Sequence, residues 1–600
     1  MFISATVFKP QTPRATPVVW KSANTPSNDE RIIDAVRPFE LICIDRCLEV
    51  QFSFYFEHYK SFSMSQQLFR RFLDTHISRI EPLSRETQLA YWDATISGRE
   101  EDFVRYAELE VSYKKIYADP EAFESLRNWR EKMTVTDPID RRQLDILYRQ
   151  FLRNQIPHGL IERITQLSSA IVNKFNVYRA CVSGEELTSN QVRAVLRAST
   201  DSSYRQSVWA ADKGVGTIVR DELLELVKLR NEAADAVGFE NYYTMSLELA
   251  EQDPNEIIEV FDDLDRRTRE PFRELKAEVD GILAGHYGVK PDVLQAWHYQ
   301  DPFFQEAPRV FDLDLDRFYS DRDVVELVSQ FYEGIGLDVH GIVQRSDLYE
   351  KPGKEQHAYC MDIDRRGDIR VLANVRRDEN WTGTMLHELG HAVYDLYIDP
   401  QLPFVLREHA HIFTTEAIAM LFGRLSKDAD WIQRVAGLKD KEKTSIAETA
   451  KQHQKLSQLV FTRWCQVMVR FERALYANPD DDLNALWWDL VENYQMVQRP
   501  YGRNEPDWAA KIHVVSAPAY YHNYMFGELL ASQLDHYIQT RVLNGHDGRD
   551  PMNGRPEVGD YLVEKVFRPG KRHHWDRLIN DATGEPLTPR FFVDQYISGV

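Results

Sequence analysis

His387, Glu388 and His391 stand in the run TGTMLHELGHAVYDLY, and their spacing is the first chemically meaningful feature of this chain. Two histidines four apart on a helix project from one face, so both imidazoles can share one ion. A glutamate one position after the first reaches a water on that ion rather than the ion itself. Leu386, Leu389, Ala392, Val393 and Leu396 supply the apolar face that seats the helix. Two core histidines would show the same spacing, so the pair alone does not establish a metal. A third ligand strengthens it. Glu416 interrupts the apolar run HIFTTEAIAMLFGRL, 25 residues beyond His391, on a second predicted helix with Thr414 or Thr415 as its N-cap. A glutamate in the first turn is also favoured by the helix dipole. A buried carboxylate without a cation is costly, however. Three protein ligands with an open fourth position is the catalytic arrangement for zinc.

One zinc ion held by His387, His391 and Glu416 would bring the pKa of a bound water from about 15.7 toward 7. Glu388 would accept that water's proton and pass it to a leaving amine. The oxyanion formed on the attacked carbon needs donors from outside the metal shell. The segment KIHVVSAPAYYHNYMFGELL (511–530) gathers His513, Tyr520, Tyr521, His522 and Tyr524. Core packing explains such aromatic crowding as readily as function does.

The elements that must hold these groups are mostly helices. From Met64 to about residue 350 apolar residues recur at three- and four-residue spacing, as in DELLELVKLRNEAADAVGF (221–239), with Gly238 where a C-cap falls. Asp253-Pro254 and Glu270-Pro271 read as helix boundaries. The exception is 356–375, where QHAYCMDID and DIRVLANV read as two strands joined at Arg365-Arg366-Gly367. An isolated hairpin is only marginally stable, so this one is expected to pack on the HExxH helix and wall the site. The predicted fold class is therefore all-α with one small β-hairpin. Residues 1–63, Pro-rich and then aromatic without long helical periods, read as an extension, with Met64 as the natural start. Residues 64–600 form one helical body, with the catalytic core at about 350–530.

Composition narrows the function classes. A formal charge of −21 argues against nucleic-acid binding. No run approaches the roughly 18 apolar residues of a membrane span. Five cysteines, an odd number set mostly in apolar stretches, point to reduced and mostly buried thiols in a cytoplasmic protein. Cys43 and Cys47 have no second Cys or His pair nearby to complete a metal site.

HELGH, LPFVLREHAHIFTTEAIA and the His/Tyr-rich segment together resemble the helical gluzincin zinc peptidases. Two branches share the resemblance: the thimet oligopeptidase and oligoendopeptidase F family, and the angiotensin-converting enzyme family. The resemblance spans roughly residues 200–600 and includes LVKLRNEAADAVGFENYY (226–243) and AWHYQDPFFQ (296–305). It implies a two-lobed helical ellipsoid with a deep central channel and zinc on its floor. It implies that His357 and Ala358 offer a strand edge to the substrate backbone. Tyr524 matches the oxyanion-stabilising tyrosine, His513 its supporting histidine, and Lys511 the carboxylate-binding lysine of the converting-enzyme branch. The converting enzyme's chloride-binding arginine has no match at Tyr521–Asn523, which removes the ground for chloride activation. Met420 replaces a second-shell aspartate, leaving Asp395 to orient a ligand histidine.

The expected activity is hydrolysis of short peptides, by internal cleavage or by release of a C-terminal dipeptide gripped by Lys511, with Tyr520 and Tyr521 lining the substrate. A catalytically silent peptide-binding protein is the rival reading, against which the intact Glu388 counts. A scaffold with structural zinc is a third, against which the lack of a fourth ligand counts.

Overall fold

Aspartate starts four of the helices described below, because its carboxylate takes up the orphan N–H groups of a first turn. The computed structural model describes residues 37–544 and 552–598, with side chains from residue 64. The chain divides into two units, Met1–Met64 and Ser65–Val600. The first helix, α1, covers Arg37–Ser97, so residues 37–63 are helical where the sequence suggested no long helical period. Residues 1–36, on which the expectation of an extension also rests, lie outside the described residues. Helix α2 covers Glu100–Tyr117, and α3 covers Pro138–Arg153 behind the N-cap Asp137.

A second hairpin was not anticipated. Strands β1 (Ala180–Val182) and β2 (Glu185–Leu187) pair antiparallel. Ser183 and Gly184 both take positive φ, the conformation a two-residue hairpin turn demands. Helix α4 (Ser202–Asp235) follows its N-cap Asp201, with Gly238 at φ 91 just past the helix end. Helix α5 (Pro254–Tyr287) opens on Asp253-Pro254 as expected. It then runs through Pro271, which the sequence suggested as a boundary. Its buried residues on both sides of the proline, among them Leu264, Phe272 and Val279, outweigh the one helical hydrogen bond the proline removes.

Strands β3 (Tyr359–Asp362) and β4 (Ile369–Leu372) form the expected antiparallel hairpin, with Tyr359 opposite Leu372. Arg365 and Gly367 take positive φ in its turn. Asp347 bridges to the outer side of β4 at Leu372, leaving β3 an edge strand among the described residues. The hairpin packs on α6 (Glu379–Leu396), whose N-cap Asp378 accepts from Trp381 N. Met385, Leu386, Leu389, Ala392 and Val393 on α6 have no exposed surface. Each of the larger ones contributes roughly 1.5–3 kcal/mol on burial. Helix α7 (Ile412–Gly423) is capped by His411, not by Thr414 or Thr415. Helix α8 (Asp440–Ala477) and α9 (Tyr521–Tyr537) complete the surroundings of the site. The fold is predominantly helical, with these two small sheets.

Glycines let the three site helices approach. A Cβ on Gly390 of α6 would lie 2.8 Å from Ala419 Cα of α7, and one on Gly527 of α9 would lie 2.9 Å from Met420 Sδ. Met420 is thus spent on helix packing.

Candidate metal centre and active site

Helix α6 places His387 and His391 on one face, and α7 brings Glu416 against it. The Nε2 atoms of His387 and His391 are 3.2 Å apart. Glu416 Oε2 lies 3.7 Å from the first and 4.0 Å from the second. Three atoms at those separations lie on a circle of radius about 2.1 Å, the length of a Zn–N or Zn–O bond. Among the described residues this is the one His/Cys/Asp/Glu group with metal-ligand spacing.

The electrostatics match a cation. Burial pushes the Glu388 carboxyl up to about 8, with Glu416 adding repulsion and the Cys360 N–H offsetting part of it. Burial likewise lifts Glu416 to about 7, opposed by His409. Burial lowers His387 to about 4 and His391 well below its ordinary value, so both imidazoles are neutral at pH 7. Two neutral imidazoles beside the buried Glu416 carboxyl form a donor set for a divalent ion, with Glu388 next to it.

Orientation of His391 comes from an unexpected residue. Thr415 Oγ1 sits 2.7 Å from His391 Nδ1. With Nδ1–H donating to that hydroxyl, Nε2 is left as the ligand atom. Asp395, which the sequence suggested for this task, instead faces His409 at 3.5 Å. The cap His411 and Thr414 form a reciprocal capping box, and this frees Thr415 to point at His391. His411 Nε2 is anchored in turn on the Ala250 carbonyl.

Glu388 is 8% exposed, and the Cys360 N–H of β3 lies near enough to offset part of the burial that raises its pKa. His357 and Ala358 lie immediately before β3; His357 is exposed and Ala358 half-buried. The 511–524 cluster is also brought to the centre. Tyr520 and Tyr524 are half-buried and both feel the Glu416 charge, which helps raise their hydroxyl pKa values. Their rings meet edge to face at 5.0 Å. Tyr521 points elsewhere: it is buried and packs edge to face on Trp464. His522 turns away as well, buried against Gln252 at 2.8 Å. His513 packs at a tilt on Tyr521, ring centres 5.1 Å apart, and its buried Nδ1 has no hydrogen-bond partner among the described residues.

Lys511 is 6% exposed, and its Nζ meets Gln305 Oε1 at 2.5 Å. The same ammonium lies over the rings of Phe303, Trp464 and Tyr521 at 5.0–5.7 Å. No carboxylate stands within ion-pair distance of it among the described residues, and burial brings it down to about 8. Gln305 lies in the AWHYQDPFFQ segment, whose sequence carried no sign of this pairing.

Residues 195–596 match the profile of Peptidase family M3. The chain belongs to that family. Its membership places it among the metallopeptidases, in keeping with the resemblance read from HELGH and Glu416. Residues 63–296 of this M3 chain also match the angiotensin-converting enzyme profile. It is 22% identical over 409 residues to the angiotensin-converting enzyme-related protein of Drosophila melanogaster, covering 62% of this chain and 64% of that one. It is 24% identical over 301 residues to carboxypeptidase 1 of Bacillus subtilis (46% and 56%), and 27% identical over 193 residues to oligopeptidase A of Escherichia coli (29% and 28%). The chain thus spans less than two thirds of the length of each. No helix among the described residues is long and apolar enough to cross a membrane.

Proposed function

We propose that this M3 chain is a zinc-dependent peptidase acting on short peptides in the cytoplasm, with His387, His391 and Glu416 holding one ion. The observation that carries the reading is the triad of ligand atoms spaced for bonds of about 2.1 Å. When bound, zinc polarises a water and lowers its pKa toward 7. Glu388 would accept a proton from the attacking water and return it to the leaving amine. A carboxyl that burial holds near neutrality performs both halves of that task. The Tyr524 hydroxyl, beside Glu416 and protonated well above neutral pH, donates to the developing oxyanion. His513 supports it as a neutral imidazole, held at about 4 by burial and by Lys511. The β3 edge, entered at His357 and Ala358, pairs with the peptide backbone.

Lys511 favours release of a C-terminal dipeptide over internal cleavage. A buried ammonium that faces an amide oxygen and aromatic rings, without a carboxylate, suits the terminal carboxylate of a substrate. Tyr520 lines the same path, and Tyr521 buttresses His513 and Lys511 from behind. A mixed peptide pool with free and amidated C-termini, read by mass, tests the assignment. Loss of cleavage on amidation supports the dipeptide mode, and internal cuts in both sets refute it. A Glu388→Gln variant that hydrolyses undiminished refutes the catalytic reading itself.

A further inference from the structure

We propose that a cavity of about 620 Å3 beside His409 is a subsite for an acidic residue of the peptide substrate; this rests on the peptidase reading above. The cavity lies between α1, α2 and α3 on one side and the β3–β4 turn and the start of α7 on the other. Five cations line it: Lys114, Arg149, Arg153, Arg365 and Lys571, against Glu110 and Glu251. Their partners show which charges are already matched. Glu408, behind the wall, serves both Arg365 and Lys571. Glu251 is shared between Arg149 and Arg142, and Lys114 meets Glu110 at 2.8 Å. Arg153 has no side-chain ion pair or hydrogen bond among the described residues. Counting all of these leaves an excess of three positive charges, or two when Asp395, which faces His409 at 3.5 Å, is included. In a chain of net charge −21, that excess marks a local attraction for carboxylate. Tyr106, Tyr113 and Tyr117 add hydroxyls to the same wall.

The cavity reaches toward the centre through His411 and Ile412, which line it and open α7, the helix that carries Glu416. His409 lines it while sensing both Glu416 and His391. Strand β3 packs on α6, the helix that carries Glu388, and the turn that follows it holds Arg365 in the cavity wall. A peptide laid along the β3 edge advances about 3.3 Å per residue. Its third or fourth residue from the scissile bond therefore reaches the cations.

Quenched peptides carrying a single Glu or Gln, stepped through every position, test this with the metal-loaded full chain. Glu should exceed Gln by about fivefold in kcat/KM at one or two neighbouring positions at least two residues from the cut, as expected for a partly exposed ion pair. The ratio should shrink at high ionic strength and fall to one or below in Arg153→Glu. The same peptides are titrated onto Glu388→Gln, where binding is read without hydrolysis. Equal values for Glu and Gln at all positions overturn the proposal. So does a Glu preference that survives both Arg153→Glu and Lys114→Glu. If no peptide is cut, the peptidase reading fails, yet the binding ratio still decides the subsite.

Discussion

Thr415→Val is the sharpest test of how the metal site is organised. Valine keeps the shape of a side chain that is 3% exposed and removes only the hydroxyl 2.7 Å from His391 Nδ1. Without that acceptor the imidazole no longer prefers the tautomer that presents Nε2, and its N–H is left in an apolar wall. Loss of such an outer partner costs about 10–100-fold in metal affinity, which corresponds to about 1.4–2.7 kcal/mol. Titration of zinc against a competing chelator reads the dissociation constant directly, with circular dichroism confirming an unchanged fold. Thr415→Ser, which restores the hydroxyl, should return affinity to within a few-fold of the parent. An affinity of Thr415→Val within twofold of the parent, in a folded protein, refutes the argument that Thr415 sets the ligand.

Other outcomes follow from the same geometry. Glu388→Gln should lower kcat by about 10²–10⁴ while leaving zinc affinity nearly intact, since Glu388 moves a proton and does not ligate. Gly390→Ala should destabilise the protein by about 1–3 kcal/mol, read as a lowered Tm, because its methyl meets the α7 backbone at 2.8 Å. Lys511→Met should raise KM for peptides with a free C-terminus and leave amidated peptides unaffected. The metal-free protein should have a pH signature. Glu388 and Glu416 have folded pKa values of about 8 and 7, above the unfolded value near 4.5, so the native state binds more protons and stability falls as pH rises through that window. Neutral His387 and His391 act oppositely, but only below their unfolded value near 6.5. The rise in Tm on adding zinc to chelated protein should therefore be larger at pH 8 than at pH 6.5, and an equal rise at both refutes the assignment.

The His387/His391 pair and the hairpin were legible in the sequence because each is set by local periodicity, four residues along a helix and two along a strand, and Glu416 because it interrupts an otherwise apolar helix. The all-helical class followed from the same source. What escaped depends on how distant elements cross. Thr415 reads as a cap until α7 is docked on α6 and its hydroxyl meets His391. Gln305 reads as one more polar residue until the chain brings it 206 positions to Lys511. Tyr520, Tyr521 and Tyr524 are indistinguishable by type, and only the turn into α9 sends Tyr520 and Tyr524 toward Glu416 and Tyr521 into the core. The hairpin at 180–187 went unread because its three-residue strands, one of them Glu185-Glu186-Leu187, carry too little pattern to stand out from flanking helices. Pro271 misled because propensity is local and α5 is held by packing along its whole length. Among the described thiols, Cys465 is buried as expected and Cys181 is exposed, at the outward position of a two-faced strand.

Because the ligands are divided between α6 and α7, which touch through Gly390 with no room for a methyl, the ion-binding geometry does not exist until those helices have docked to within a few tenths of an ångström. On the zinc-peptidase reading proposed above, metal capture is then a late event in the life of the chain. A partly folded form would present the two histidines alone and hold metal weakly. The close helix crossing would then withhold activity from the newly made protein until its walls are in place.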